Sequence, residues 1–594
     1  MKYDLVVISS ETLDSHPSVG IYFPNSLYIF NIPDLTQRVY FETKIKFSKI
    51  AHFFLTSLNS KSIGGFHGLS ITTFEAKKCA VNFSAPKGFE DVLKTYSELH
   101  TLTQMRPKVI RNYSDDNISV INHELKDSVA YQVKLCDVRG KFLPDKALKL
   151  GVKKGPSFKD LANGKSVQLE NGNVVMPEMV TEPPYIGETV FFVDCCSMDD
   201  VNMLPDVKKF DFIVHFTKNE ILMTKEYLSK FDPNQKAICF AESGRYTYNS
   251  VAALYAASAK ISNNLLKPLV AFKTNIEIPK GFIDGIPKLE YAFAPPDKKR
   301  FVYPEINDFE EHFEEELPKF KDFMVTFLGT GSTFPSQYRN VSGILIHTHS
   351  GFIVLDVGEG FTGQLTRKYG INNLKYILSN INFIWISHLH GDHHFGLYQL
   401  LQKRAEICDS YVPLICNKNI ELHINELQKK VGSLKYTYYS QDKIFKIGNN
   451  SIQSIPVDHC FDSHGCVCDI DGGWRIAYSG DRTITDHFTE TVGSCDLLIH
   501  EATFTDDLLE TALAKRHSTL SQAIQTGKDA HATFTVLTHF SQRYPKIPVF
   551  ANELSNVAFA FDYMSFAFED IDKLCKVCPK IFQMIQELEE KEDE

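Results

Sequence analysis

The chain has 594 residues, of which 43% are hydrophobic and 23% charged, enough for two large globular domains and too apolar for a disordered chain. Its net charge of −10 excludes a uniformly basic nucleic-acid protein, so any RNA contact must come from local basic patches. No apolar run approaches the roughly 18 residues of a membrane span, and thirteen Cys, two of them adjacent at Cys195-Cys196, fit a reducing compartment better than a disulfide framework.

Residues 5–8 read as a strand, with Asp4, Glu11 and Asp14 nearby, so the N-terminus resembles neither a secretory signal nor a basic transit peptide. Nucleus or cytoplasm is the expected compartment, with the mitochondrion left open. Segments 28–33 and 53–65 each read as an apolar strand leading into a polar loop, the second ending in Gly64-Gly65 before a helix. The stretch 141–172 is rich in Gly, Pro and Lys, with Lys146, Lys149, Lys153, Lys154, Lys159 and Lys165; by composition alone it is a solvated connection. Two further strand-like segments follow at 189–196 and 210–216. Residues 294–321, rich in Pro and charge and including Glu310, Glu311 and Glu314, read as a linker between a first domain at 1–293 and a second at 322–594. The chain ends in an acidic run read as a solvated tail.

The second domain carries the chemistry. The apolar run 383–386 ends in His388-Leu389-His390-Gly391-Asp392-His393, three imidazoles and a carboxylate on the loop leaving a buried strand, where open α/β sheets place ligands. His459, Asp481 and His539 each follow another strand-like run, giving five His and two Asp in all. That set makes two sites of three terminal ligands with one bridging carboxylate, and both keep an open position; imidazole and carboxylate suit zinc. His394 reads as a supporting or surface residue. Cys460, Cys466 and Cys468 crowd His459 but read as incidental thiols, because the His/Asp set is already complete. His517-Ser518-Thr519 reads as a helix start, with hydroxyl caps before 520–528.

The first domain repeats the second without its ligands. Segment 53–65 parallels 383–396, placing Ser57, Asn59, Lys61 and Ser62 near His388, His390, Asp392 and His393. Likewise 28–33 parallels 353–358, 189–196 parallels 474–481 with Cys196 at Asp481, and 210–215 parallels 495–500 with Phe216 at Glu501. The pairings keep one order along the chain. They point to a duplicated domain whose N-terminal copy cannot hold metal, since Lys61 at a ligand position repels a dication.

With Phe327-Leu328-Gly329-Thr330-Gly331-Ser332, Pro335, Arg339-Asn340, residues 355–360, His500-Glu501-Ala502-Thr503-Phe504 and residues 538–544, this ligand set resembles the metallo-β-lactamase superfamily and, within it, the long tRNase Z family. The resemblance implies an α/β fold of two tandem αββα sandwich domains, the N-terminal one degenerate and the C-terminal one catalytic. It implies two Zn2+ per chain, one on His388, His390 and His459, the other on Asp392, His393 and His539, with Asp481 bridging. It makes Asp392, Glu501 and His517 the catalytic residues, Glu501 orienting His517 as proton donor. It makes 141–172 an arm that grips precursor tRNA, with Arg339 and Asn340 as further RNA contacts. It also makes the chain a monomer whose halves pack as a pseudo-dimer. Gln337 stands where the family usually has Lys. Two other readings stay open on residues alone: another nuclease or phosphodiesterase of the same fold, and a non-catalytic RNA-binding scaffold.

Overall fold

The computed structural model describes residues 3–43, 45–99, 106–262, 265–271, 277–294, 298–304, 312–313, 323–471, 473–542 and 555–593. Most of the linker expected at 294–321 lies outside these residues. Of the part inside, Arg300–Val302 pairs antiparallel with Glu290–Ala294, and His312–Phe313 pairs with Val270–Ala271. The boundary at 293 is therefore corrected: residues 300–302 close the edge of the first domain's sheet.

Each half is two sheets face to face. In the first half one sheet runs, in spatial order, Arg300–Val302, Glu290–Ala294, Tyr3–Ser9, Ser18–Tyr22, Leu27–Phe30, Ile50–Phe54 and Asn82–Ser84. The corresponding sheet of the second half runs Ser565–Ala567, Met324–Gly329, Gly343–Thr348, Gly351–Val357, Ile381–Trp385, Val412–Ile415 and Tyr436–Tyr439. The second sheets match in the same way, Ile118–Glu124 through Ile283–Asp284 against Asn450–Pro456 through Val557–Phe559. Near-continuous runs such as Ile-Asn-Phe-Ile-Trp at 381–385 form the central strands because both of their faces are covered.

The register tests the expected pairings residue by residue. Asn31 and Asp356 occupy equivalent positions with φ of 62° and 57°, and each accepts the backbone N–H of the residue that opens the next loop, Thr56 and Ser387. Ser57, Asn59, Lys61 and Ser62 then fall opposite His388, His390, Asp392 and His393, as expected. One pairing is corrected. Thr-Val-Phe-Phe-Val at 189–193 pairs with the next strand so that Phe192 lies beside Val214, as Tyr478 lies beside Ile499. That register puts Cys195, not Cys196, opposite Asp481.

The halves are not independent beads. One apolar core runs through both, from Leu35, Val39 and Leu69 to Phe361, Leu365 and Leu401. Arg367, fully buried, crosses to Asp14 at 2.5 Å and to the carbonyls of Gly244, Arg245 and Val270. The acidic C-terminal run is likewise corrected from a tail to the end of a helix, Leu574–Asp593, which packs on Asn249–Ile261 of the first half.

Between Val129–Leu135 and Thr189–Val193 the first half carries a small body with its own core of Ala147, Val152, Leu161, Val175 and Val180. Helices Pro144–Lys149 and Pro156–Ala162 and the hairpin Val167–Gln168/Val174–Val175 build it, each helix opening on Pro, whose fixed φ suits the first turn. Bridges Val138 to Tyr185 and Phe142 to Thr181 close its base, so it reaches beyond the 141–172 expected. At the matching place the second half has only the short turn between His464–Ile470 and Trp474–Tyr478.

Candidate metal centre

All seven expected ligands lie at the C-terminal ends of strands of the second half, around one point. The loop after Ile381–Trp385 carries His388 and His390 into the short helix Gly391–His394, which holds Asp392 and His393. His459 follows Asn450–Pro456, Asp481 follows Trp474–Tyr478, and His539, at φ 63°, follows Ala532–Thr538.

Asp481 sits at the centre. Its Oδ2 lies 3.7 Å from His388 Nε2, 3.7 Å from His459 Nε2 and 3.3 Å from His393 Nε2. Its Oδ1 lies 3.3 Å from His539 Nε2. Asp392 Oδ2 reaches His393 Nε2 at 3.5 Å and His539 Nε2 at 3.3 Å. His390 Nδ1 faces His459 Nε2 at 3.0 Å.

The other ring nitrogens are anchored from behind. His393 Nδ1 bonds Asp356 Oδ2 at 2.8 Å, His388 Nδ1 bonds Ser387 Oγ at 2.9 Å, His539 Nδ1 bonds Thr503 Oγ1 at 2.8 Å, and His459 Nδ1 meets the Arg516 carbonyl at 2.8 Å. Such partners fix ring orientation and tautomer for a metal ligand. The inward atoms are left bare: His388 Nε2, His393 Nε2 and Asp481 Oδ1 are buried without a hydrogen-bond partner. Orphaned buried polar atoms are costly, and these converge, which is what a metal site presents. Burial, reinforced by His393 and His390, drives His388 well below the usual imidazole range, the neutral form a metal needs.

His517 and Glu501 stand beside this cluster. His517 Nδ1 lies 2.9 Å from Glu501 Oε1 and 3.9 Å from Asp481. Burial opposes charge on His517, but the attraction and hydrogen bond of Glu501 outweigh it and lift the imidazole to about 9. Burial likewise would raise Glu501, yet His517 holds it down at about 2. Thr519 caps Leu520–Asp529 by accepting from Gln522 N–H, as its position predicts. Ser518 does not cap; its hydroxyl donates to the Arg482 carbonyl at 2.7 Å.

One expected RNA contact, Asn340, is corrected, and a second, Arg339, has internal partners. Asn340 is buried, its backbone N–H donating to Asp562 and its side-chain amide to the Glu359 carbonyl at 2.8 Å. Arg339 lies between the Phe540 and Phe561 rings and donates to Thr330 Oγ1 and the Ala560 carbonyl. Both brace the loop under the site, Asn340 from a buried place and Arg339 from a half-buried one. The six arm lysines, by contrast, are all exposed, Lys153 pairing with Glu170 at the surface. His394 is buried against the Leu389 carbonyl at 3.0 Å, a supporting place.

Two neighbours of the site were not singled out from sequence, Asp356 and Thr503. Asp356 joins His393, Ser387 and the Tyr478 hydroxyl. Thr503 Oγ1 meets Glu501 and His539 and lies 3.3 Å from His517 Nδ1. Cys460, read as incidental, brings Sγ within 4.8 Å of the ligand atoms of His388, His390 and His459.

In the first half the corresponding place holds no such set. Lys61 pairs with Glu11 at 2.7 Å, and Asp194, one residue before the bridging position, is bonded by the Thr56 and Ser57 hydroxyls. Among the described residues, the clusters able to hold a metal all lie in the second half.

The tRNase Z endonuclease family profile matches residues 6–65, and the beta-lactamase superfamily domain matches 352–540. The chain is 29% identical to the mitochondrial ribonuclease Z of Drosophila melanogaster over 688 residues, covering 99% of this chain and 89% of that one. It is 28% identical to the mitochondrial tRNase Z TRZ3 of Arabidopsis thaliana, covering 96% and 84%. It is 26% identical to the zinc phosphodiesterase ELAC protein 2 of Homo sapiens, covering 97% and 86%. The crystal structure of a long form RNase Z from yeast shares the fold at TM-score 0.78 and 18% identity, covering 98% of this chain and 100% of that one.

Proposed function

We propose that this chain, which is similar to tRNase Z and ribonuclease Z proteins over nearly its whole length, is the endoribonuclease that removes the 3′ trailer from precursor tRNA, with two zinc ions held by its C-terminal half. The observation that carries the metal reading is the convergence of bare, buried His388 Nε2, His393 Nε2 and Asp481 Oδ1 on one point. In this reading His388, His390 and His459 would hold one ion and Asp392, His393 and His539 the other, with Asp481 shared between them. When bound, a zinc pair supplies an activated water near neutral pH and neutralises charge on the phosphate.

The chain's own residues do the rest. Asp392 takes the proton released from the attacking water. His517, held by Glu501, donates a proton to the departing 3′ oxygen of the tRNA, the task a charged, oriented imidazole suits. The products are a tRNA with a 3′-hydroxyl, ready for CCA addition, and a trailer with a 5′-phosphate. The exposed arm lysines Lys146, Lys149, Lys153, Lys154, Lys159 and Lys165 bind backbone phosphates, giving affinity independent of sequence. The catalytic half thus works with a non-catalytic copy in place of a second subunit, and the chain acts as a monomer. No helix among the described residues is long and apolar enough to cross a membrane. Several relatives carry mitochondrial names, so cell fractionation has to weigh the mitochondrion beside the nucleus and cytoplasm.

Chelation tests the reading. Stripping metal from the purified chain abolishes pre-tRNA cleavage, and adding Zn2+ restores it. A metal-free chain that cuts as fast as the loaded one would overturn the proposal.

A further inference from the structure

The cleft over the metal centre has a volume of about 750 Å3 and is lined by His390, Asp392, His459, Asp481 and His517 on its floor. Its walls are largely apolar: Phe334, Leu389 and Phe395 from the second half and Ile71 from the first. At its rim stands Phe461, two residues after the ligand His459 and 82% exposed. It is the most exposed large apolar side chain among the described residues. Burying a Phe is worth about 1.5–3 kcal/mol, and here that gain is forgone.

The backbone beneath it is pinned. Cys460 N–H donates to Ser463 Oγ at 3.1 Å, Val457 N–H to the Ser463 carbonyl at 3.0 Å, and His464 N–H to the Ser387 carbonyl at 3.1 Å. Asp462, at φ 57°, accepts from the Asn417 side-chain amide. A single exposed Phe on a loose loop needs no explanation. An exposed ring on a braced turn, joined to a metal ligand and facing the reacting phosphate's cleft, does.

We propose that Phe461 is a stacking platform for an unpaired nucleobase flanking the scissile phosphate, with Lys515, which lines the same cleft, beside the neighbouring phosphate. This rests on the RNA-cleaving function proposed above and names a residue that positions its substrate. Every base offers a π-face, so a stacking platform holds single-stranded RNA without demanding a sequence. Such a contact suits a trailer junction whose sequence differs from precursor to precursor.

The test compares Phe461→Ala, Phe461→Leu and Phe461→Trp on a 3′-extended pre-tRNA, with matched substrates made abasic at the nucleotide on the 5′ or the 3′ side of the cut. Stacking contributes about 1–3 kcal/mol per base, so Phe461→Ala is expected to raise KM about 5–150-fold, with the effect on KM rather than kcat. Zinc content stays at the parent level. Phe461→Trp restores binding and Phe461→Leu, apolar but without a π-face, does not. An abasic site at the stacked position raises KM for the parent and erases the difference between parent and Phe461→Ala, and whichever substrate does so identifies the side. A parent that cuts pre-tRNA with the same KM as Phe461→Ala, or Phe461→Leu rescuing as well as Phe461→Trp, overturns the platform while leaving the function standing. A zinc-loaded parent that cuts no pre-tRNA overturns the function itself, and the platform with it.

Discussion

Asp34 and Glu359 each accept the backbone N–H just ahead of the other half's helix, across the boundary between the halves. Gly360 N–H donates to both Asp34 carboxylate oxygens at 3.0 Å, and Leu35 N–H donates to Glu359 Oε1 at 3.0 Å. The two carboxyl groups occupy equivalent places in the duplicated domains, each just ahead of a helix, Thr36–Thr43 and Phe361–Ser379. Leu35 and Gly360 both have positive φ, and a Cβ on Gly360 would meet Leu35 Cδ2 at 2.1 Å. The two contacts are thus equivalent by position in the two halves and reciprocal across their boundary.

The pair makes the interface sensitive to pH. Burial raises Asp34 to about 7, and burial together with the charge of Asp34 pushes Glu359 well above the carboxylate range. Both folded values exceed the unfolded ones near 4. The folded state therefore holds protons that the unfolded chain has released, and that stability is fully present below about pH 4 and lost as pH rises through the folded values. Glu359→Gln keeps an acceptor for Leu35 N–H and removes the second charge. Thermal melts of the parent and of Glu359→Gln should diverge between pH 5 and pH 8, the parent losing more stability as pH rises. Parallel curves contradict the assignment.

Arg367 gives a stability prediction at the same boundary. Its guanidinium is fully buried on Asp14 and three carbonyls, so Arg367→Ala leaves an uncompensated buried charge, worth about 3–5 kcal/mol. Denaturant unfolding measures the loss. A change below about 1 kcal/mol would mean that the halves are held elsewhere.

His517→Ala is expected to keep both zinc ions and slow pre-tRNA cleavage by about 10²–10⁴-fold, the scale of general acid catalysis. Metal analysis beside single-turnover kinetics checks it. Loss of zinc in this variant makes His517 a ligand rather than a proton donor.

Replacing 139–184, the whole arm above the Val138–Tyr185 bridge, with a short Gly/Ser linker is expected to weaken pre-tRNA binding sharply and flatten its salt dependence. Hydrolysis of a small activated phosphodiester persists, because that substrate never reaches the arm. Unchanged pre-tRNA affinity and salt slope refute the grip.

Much of this was legible in sequence where chemistry is dense. The clustering of the seven candidate ligands could be read because each follows an apolar strand and four fall within six residues, His388 to His393. The duplication could be read because the two halves keep the same strand order. Register could not be resolved to one residue: the run Val-Phe-Phe-Val at 190–193 slides on Ile-Ala-Tyr without penalty until hydrogen bonding places Phe192. Asn340 reads as a substrate contact because it is polar and sits inside a family motif, whereas the folded chain buries it and uses it, with Arg339, to brace Asp562, Thr330 and Glu359. The grip of the Arg516 carbonyl on His459 was illegible, since a backbone acceptor leaves no mark on residue type. Thr503 had a signal, its place two residues after Glu501, but a lone hydroxyl beside a carboxylate is too common to single out.

The central claim is hydrolysis of precursor tRNA at its trailer junction by the C-terminal centre, and mapping the cut tests it most directly. The purified, zinc-loaded chain is incubated with a 3′-extended pre-tRNA beside the Asp481→Ala variant, and the end groups of both fragments are determined. The account predicts one cut at the trailer junction, a 3′-hydroxyl on the tRNA and a 5′-phosphate on the trailer, with Asp481→Ala inactive and depleted of zinc. A 2′,3′-cyclic phosphate on the tRNA, no cut at all, or full activity in Asp481→Ala would contradict it.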